Sequence, residues 1–127
     1  MGYITYKQYD SRWGSKNYNG SSNMATAGCG PTSIAMLAYA VDGKTTPLQT
    51  MKWLQTHGDS THKSFAVYGN GTAWNGIPAC MSAFGLKDVK KIDVSSSMSE
   101  VWKYLAKGYC AVFLFRGGSR GGVCWTT

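Results

Sequence analysis

One stretch constrains the fold of this chain more than any other: residues 27–37, Ala-Gly-Cys-Gly-Pro-Thr-Ser-Ile-Ala-Met-Leu. Small residues surround Cys29, and Pro31 follows at a place suited to a helix start, where its missing N–H has no intrahelical partner. Gly43 supplies a stop signal for this helix. Apolar residues between the two signals repeat with the spacing of a buried helix face, namely Ile34, Leu37, Ala38 and Val41.

Cys29 is therefore expected at or just before a helix N-terminus, and this place suits a nucleophile. Unpaired N–H groups and the helix dipole stabilise negative charge there, as a reactive thiolate requires. Gly28 and Gly30 carry no side chains, which we interpret as room for a substrate backbone to approach the sulfur. The local sequence thus predicts a catalytic Cys29 with Gly28 and Gly30 in the substrate-binding wall.

Length and composition predict one folded domain over residues 1–127. With 43% hydrophobic residues and a mass of 13.8 kDa, the chain can build a core without cross-links. Thirteen Lys and Arg against six Asp and Glu give a net charge of +7, which suits an anionic membrane, nucleic acid or cell wall. No basic run exceeds two residues, which argues against nucleic acid, and no apolar stretch is long enough to span a membrane.

The four cysteines do not indicate a metal site. Cys29, Cys80, Cys110 and Cys124 are far apart, with no C-x-x-C pair and no histidines at zinc-ligand spacing. We interpret Cys80 and Cys110 as small buried hydrophobic residues, and the spacing leaves a disulfide open. No metal and no cofactor is expected.

The first segment, residues 3–26, is rich in Tyr, Asn, Ser and Gly and shows little hydrophobic periodicity. It predicts a loop across the domain surface that lines one side of the cleft at Cys29. Its aromatic rings either pack as half-buried anchors or stack on a sugar or peptide, and both interpretations stay open. These rings are Tyr3, Tyr6, Tyr9, Trp13 and Tyr18.

The rest of the chain predicts helices first and strands later, so the fold class is α+β. A cap at Thr46 followed by proline begins a second helix, and apolar residues at helical spacing indicate a third near residues 73–84. A capping box at residues 97–100 begins a fourth helix, with Val101 and Trp102 facing inward. Apolar runs then predict strands at 89–94, at 110–115 and from residue 123 onward.

Two motifs in this order are similar to those of one group of cysteine peptidases. Gln-Tyr-Asp-Ser-Arg-Trp-Gly at residues 8–14 precedes the stretch around Cys29, and Leu-Ala-Lys-Gly at 105–108 precedes an apolar strand. Over nearly the whole chain, the sequence resembles the bacteriocin-processing-type (double-glycine peptidase-like) superfamily of papain-like peptidases, in its branch of phage lysins and bacterial surface proteins. The resemblance implies a papain-like fold, in which a helical N-terminal part carries the nucleophile and packs on a C-terminal antiparallel sheet.

The resemblance also assigns roles to residues of the first segment. It makes Cys29 the nucleophile and Gln8 the donor that holds the oxyanion together with the Cys29 backbone N–H. A neutral amide suits this task, since it stabilises a negative oxygen without protonating the thiolate. Trp13 is predicted to line the substrate cleft, whereas Asp10 and Arg12 are expected to pair with each other or with the backbone.

A papain-like cysteine also needs an imidazole that takes and returns the proton. The resemblance places this histidine at the start of the strand where the chain ends, after Thr127. His57 and His62 precede the third helix, and we interpret them as a helix-end residue and a loop residue. We therefore expect the domain to lack its C-terminal strands and catalytic histidine, and to show little or no turnover alone. A proteolytic fragment and a binding-only relative are the alternatives.

The function predicted from the sequence is a cysteine peptidase or amidase that cleaves peptide bonds of bacterial peptidoglycan. Cys29 would form an acyl-enzyme, and the protein would act outside the cell, at a cell wall or on a phage particle. One alternative is a peptidase that processes leader peptides or surface proteins, and another is a non-catalytic module that binds cell wall or peptide. An exposed last strand would further allow a homodimer.

Overall fold

The structure is a computed structural model that describes residues 3–93, 99–115 and 122–126, with the backbone alone at 93, 113–115 and 122–126. Four of the five described helices precede a three-stranded antiparallel sheet, and the fifth lies between two of its strands, which confirms the predicted α+β class. The helices are α1 (Met24–Ala27), α2 (Cys29–Asp42), α3 (Pro47–Thr56), α4 (Gly76–Ala83) and α5 (Ser99–Ala106). The strands are β1 (Ala66–Val67), β2 (Gly71–Thr72), β3 (Lys90–Asp93), β4 (Ala111–Phe115) and β5 (Gly122–Thr126).

Helix α2 begins at Cys29, two residues before the proline that was predicted to open it. Pro31 still lies in the first turn, where an N–H has no partner within the helix. The helix ends as predicted at Gly43, whose left-handed φ of +69° closes the last turn. Ile34 and Ala38 are fully buried, but Val41 is 51% exposed. The prediction of a buried Val41 is wrong, because the core ends before the helix does.

Helix α3 begins at the predicted cap. The Thr46 side chain accepts from the backbone N–H of Gln49, and the Gln49 side chain accepts from the Thr46 N–H at 2.8 Å. On the buried side of α3, Met51 and Leu54 pack into the core as their spacing indicates. Thr50 is also fully buried, and its hydroxyl donates to the Pro31 carbonyl at 2.7 Å. This bond joins α3 directly to the first turn of α2.

The first segment is held to the core by three of its rings. Tyr6, Trp13 and Tyr18 are buried, which confirms the anchor interpretation for them, whereas Tyr3 and Tyr9 are exposed. The Trp13 indole N–H donates to the Lys7 carbonyl at 2.8 Å, so the buried ring leaves no polar atom unpaired. The segment ends in α1, a short helix in a stretch predicted to be loop, which Asn23 caps by accepting from the Thr26 N–H.

The larger sheet has the order β3-β5-β4, and β5 runs antiparallel to both neighbours. Both edges of β5 are thus paired within the chain, so the described residues give no support to the predicted homodimer through an exposed last strand. Against this sheet region, Val101 of α5 is buried with Ile92, but Trp102 is 63% exposed, contrary to the prediction. Successive residues of a helix lie about 100° apart, so the side of α5 that buries Val101 leaves Trp102 in water. The predicted capping box begins within residues 94–98, which lie outside the described residues.

The main core lies between the helices, the first segment and the β1–β2 hairpin, and Val112 of β4 joins it. Among the described residues, no helix is long and apolar enough to cross a membrane.

The burial of Ile34 and the exposure of Val41 on α2 can be tested by a matched pair of substitutions. Ile34→Ala should lower the free energy of unfolding by about 2–5 kcal/mol, because it leaves a cavity at a fully buried position. Val41→Ala should change it by less than about 0.5 kcal/mol, because half of that side chain already contacts water. Urea denaturation of both variants measures the difference, and equal losses would contradict the described burial.

Candidate active site

Cys29 is an exposed free thiol at the first residue of α2, between two depressions of the surface. We call one the hairpin cavity: it measures about 370 Å³ and lies between the start of α2, residues 19–27 and the β1–β2 hairpin. We call the other the Gln8 groove: it measures about 490 Å³ and lies between α2 and residues 6–9. Cys29 and Ser33 line both, so Cys29 borders the hairpin cavity and the Gln8 groove.

Gln8 lines the same groove as Cys29. Its side-chain nitrogen donates to the carbonyl of Ala25 at 2.8 Å, which fixes the amide beside the start of α2. An amide nitrogen carries two N–H donors, so this bond leaves the second one for another acceptor. The structure therefore brings together the two residues that the sequence predicted as nucleophile and oxyanion donor.

The structure does not bring Trp13 to this site. The ring is 1% exposed, packs edge-on against Tyr6 and lies under the Arg12 guanidinium at 4.5 Å. It lines neither the hairpin cavity nor the Gln8 groove. In this structure the large ring of Trp13 packs in the core and anchors the first segment, and its predicted contact with substrate has no support from the described cleft.

The two glycines beside Cys29 are buried and serve internal packing. A side chain at Gly28 would collide with the backbone and sulfur of Met24, and Gly28 lines neither depression. A Cβ at Gly30 would lie 2.6 Å from the Thr72 hydroxyl of β2. Gly30 does line the hairpin cavity, but its nearest neighbour there is this hydroxyl. Close contacts within the protein thus explain why both positions are glycine, without any contact to a substrate.

Thr72 also connects the hairpin to the first segment. The Tyr18 hydroxyl lies 2.6 Å from the Thr72 hydroxyl, and burial raises the pKa of Tyr18 well above its usual value. Tyr18 is therefore neutral across the physiological range and can hold this bond. Sequence reasoning predicted Tyr18 as a ring of the segment beside the Cys29 cleft but missed Thr72, since two-residue strands show no periodicity. The Asn70-Gly71 pair was the one available signal that the chain turns here.

Neither histidine lines a depression that contains Cys29. His57 follows the end of α3, where its Nδ1 lies 2.7 Å from the Trp53 carbonyl and its ring stacks on Trp53. His62 lies in the next loop, where its Nδ1 is 3.7 Å from the Asp59 carboxylate. It lines a third cavity, which adjoins the hairpin cavity at Thr72 and Trp74. The structure gives both the helix-end and loop positions that the sequence predicted.

Asp10 and Arg12 pair with each other, as predicted. Two hydrogen bonds, of 2.9 and 3.0 Å, join the guanidinium to the carboxylate, which also accepts from the Arg12 backbone N–H. These bonds lower the pKa of Asp10 to about 2, with the side-chain bond as the largest cause. The pair closes a tight turn next to the buried Trp13.

Among the residues whose side chains the structure describes, no other cysteine lines the two depressions at Cys29. Cys80 is fully buried in α4, and burial raises the pKa of its thiol to about 12, which keeps it protonated and inert. Cys110 is a half-buried free thiol, and Cys124 belongs to a strand described by its backbone alone. In the described part of the chain, no group of three or more His, Cys, Asp or Glu could hold a metal ion.

With this geometry in view, comparison with known proteins gives a family. The sequence profile of the Peptidase_C39 like family matches residues 3–125, nearly the full length. The chain belongs to this family. Membership assigns it to the C39-like cysteine peptidases, which are hydrolases, and confirms the resemblance seen in the motifs at that level. No curated protein and no solved structure matches the chain.

The close contact at Gly30 gives a first prediction for the site. Gly30→Ala should destabilise the fold by about 1–3 kcal/mol, because the new methyl group meets Thr72 and the Ile77 side chain. Thr72→Ala in the same chain should recover part of that loss, since it removes the nearest atom. Urea unfolding of both single variants and the double variant measures the coupling. A Gly30→Ala variant as stable as the parent would contradict the contact.

The Asp10–Arg12 pair gives a second prediction, on pH. Because folding lowers the pKa of Asp10 from 3.8 to about 2, the pair stabilises the fold at neutral pH. This contribution falls as the pH drops from about 4 to about 2, where the carboxylate becomes protonated in both states. Both groups are solvated, so the contribution should be small and weakened by salt.

Thermal unfolding of the parent and Asp10→Asn, from about pH 6 to about pH 2, measures this contribution. The gap between their midpoints should be widest at neutral pH and close in acid. Arg12→Gln is the matched control, since it removes the partner and should give a similar gap at neutral pH. A gap that stays constant down to the acid limit would show that the pair does not titrate as described.

Proposed function

We propose that this protein is a cysteine peptidase or amidase with Cys29 as nucleophile and Gln8 as oxyanion donor. The observation that carries the proposal is the shared groove: an exposed thiol at the first residue of α2 lies beside an amide fixed by the Ala25 carbonyl. Membership of a cysteine peptidase family supports the same assignment. The other half of the oxyanion site would be the Cys29 backbone N–H, at a helix start that favours negative charge.

The reaction follows the usual course for a thiol nucleophile. An imidazole takes the proton of the Cys29 thiol, the thiolate attacks the amide carbonyl, and the carbonyl oxygen takes the negative charge beside Gln8. The carbon–nitrogen bond then breaks, the imidazolium gives its proton to the leaving amine, and a thioester remains on Cys29. The same imidazole removes a proton from water, which attacks the thioester and releases the acid. Because neither His57 nor His62 lines a depression with Cys29, we propose an imidazole outside residues 1–127 for this role.

We propose the peptide part of bacterial peptidoglycan as the substrate, and a phage or bacterial lysin as the protein's role. The net charge of +7 favours binding to an anionic wall. Lys7 and Tyr9 line the Gln8 groove, and the Tyr9 ring is 66% exposed, so a cation and an aromatic surface meet the substrate there. The proposed location is accordingly extracellular, at a cell wall or on a phage particle. A leader peptide or a surface protein is the alternative substrate.

The test measures clearing of purified cell walls by the full gene product. Cys29→Ala should abolish clearing, whereas Cys110→Ala should retain it, because Cys110 lines none of the described depressions near Cys29. Gln8→Ala should lower kcat by about 100- to 1,000-fold with a smaller change in KM, as expected for a donor that acts mainly in the transition state. Residues 1–127 alone should show alkylation of Cys29 without turnover.

The outcomes separate the candidate functions. Clearing that survives Cys29→Ala would show that another residue is the nucleophile. Cleavage of soluble peptides with no effect on walls would favour the processing peptidase. Binding to walls without any cleavage would favour the non-catalytic module. It is the second candidate because neither histidine lines a depression that contains Cys29.

A further inference from the structure

The hairpin cavity differs in chemistry from the surface around it. The chain carries a net charge of +7, yet among the residues that the structure describes, none that lines this cavity is Asp, Glu, Lys, Arg or His. Ala27, Ile77 and Val112 supply apolar surface, and the Trp74 ring adds to it. Cys29 lies at the edge of this neutral space, so a group that enters it lies next to the sulfur.

Two polar side chains of the cavity, those of Asn19 and Thr72, already bind within the protein. The Asn19 amide donates to the Val67 carbonyl at 2.9 Å and accepts from the Ser22 N–H at 2.8 Å. The Thr72 hydroxyl pairs with Tyr18 at 2.6 Å. A charged group that enters would lose water without gaining a counter-ion from the described lining, which is costly in free energy.

The cavity is also preformed. Its outer wall is the β1–β2 hairpin, which residues 17–22 hold through several bonds. One runs from Asn19 to the Val67 carbonyl, one from the Gly69 N–H to the Ser21 hydroxyl at 2.7 Å, and one between Tyr18 and Thr72. Widening the cavity would break these bonds. Its volume of about 370 Å³ lies within the range of pockets that bind small organic groups.

We infer that the hairpin cavity is a specificity pocket, which binds an uncharged side chain of the peptide next to the bond that Cys29 attacks and discriminates against acidic and basic side chains alike. This inference rests on the proposed function, and it adds the class of residue recognised. Recognition would then have two parts: the basic surface attracts an anionic substrate, and the cavity selects a neutral residue within it.

Protection of Cys29 from iodoacetamide tests the inference without requiring turnover. The probes are acetylated and amidated tripeptides Gly-Xaa-Gly, with Leu, Lys or Asp in the middle, added to the full chain. Mass mapping of the peptide that contains Cys29 measures its alkylation rate, so the other cysteines do not contribute to the reading. The Leu peptide should protect, whereas the Lys and Asp peptides should each need at least about 10-fold higher concentration, because each would bury an unpaired charge.

A second experiment adds a charge to the lining of the cavity by substitution. Thr26 is exposed in α1 and lines the cavity, so Thr26→Asp should improve protection by the Lys peptide by about 3-fold or more and weaken that by the Asp peptide. Ser82→Asp adds the same charge at an exposed position of α4 that lines none of the described depressions, and it should leave the order unchanged.

Two results would overturn the inference. Equal protection by the three peptides, or none by any, would show that the cavity does not select side chains. Best protection by the Asp peptide would show that the net positive charge of the protein governs binding instead. Neither result depends on cleavage, whereas the proposed function fails if Cys29→Ala still clears walls, so the two failures are distinguishable.

Discussion

The site depends on how closely the first turn of α2 is packed. Thr50 of α3 donates to the Pro31 carbonyl, Thr72 of the hairpin lies against Gly30, and Met24 of α1 lies against Gly28. Neighbours on these sides leave no room for side chains at either glycine. Cys29, between them, is the residue whose side chain reaches solvent. The close packing around both glycines therefore fixes the position of Cys29 and also leaves its thiol exposed.

The local features of this fold could be predicted from the sequence, because neighbouring residues decide them. Thr46 and the proline after it cap α3, and Gly43 ends α2, through backbone geometry that a few residues determine. The place of β5 between β3 and β4 could not be predicted, since strand order depends on partners far along the chain. Val41 has the periodicity of a buried residue, but its exposure depends on where the core stops.

The candidate site likewise combines features that the local sequence predicts with features that depend on the fold. Chemistry and motif order singled out Cys29 and Gln8, and the structure places both on one groove. Trp13 belongs to the same motif as Gln8, yet its ring anchors the segment that carries the amide. Nothing local distinguishes an aromatic residue that contacts substrate from one that packs in the core. The Tyr18–Thr72 bond spans 54 residues, so it became visible only with the fold.

The central position of β5 determines when the larger sheet can form during synthesis of the chain. Strands β3 and β4 are not neighbours, and each finds its partner in β5. On a ribosome, this sheet can therefore form only after residues 122–126 have been synthesised, whereas most of the main core comes from residues 4–89. We expect the helical part and its thiol to fold first, and the sheet to follow as the late, slow event of biosynthesis, since distant strand pairings pay a larger loop-closure cost.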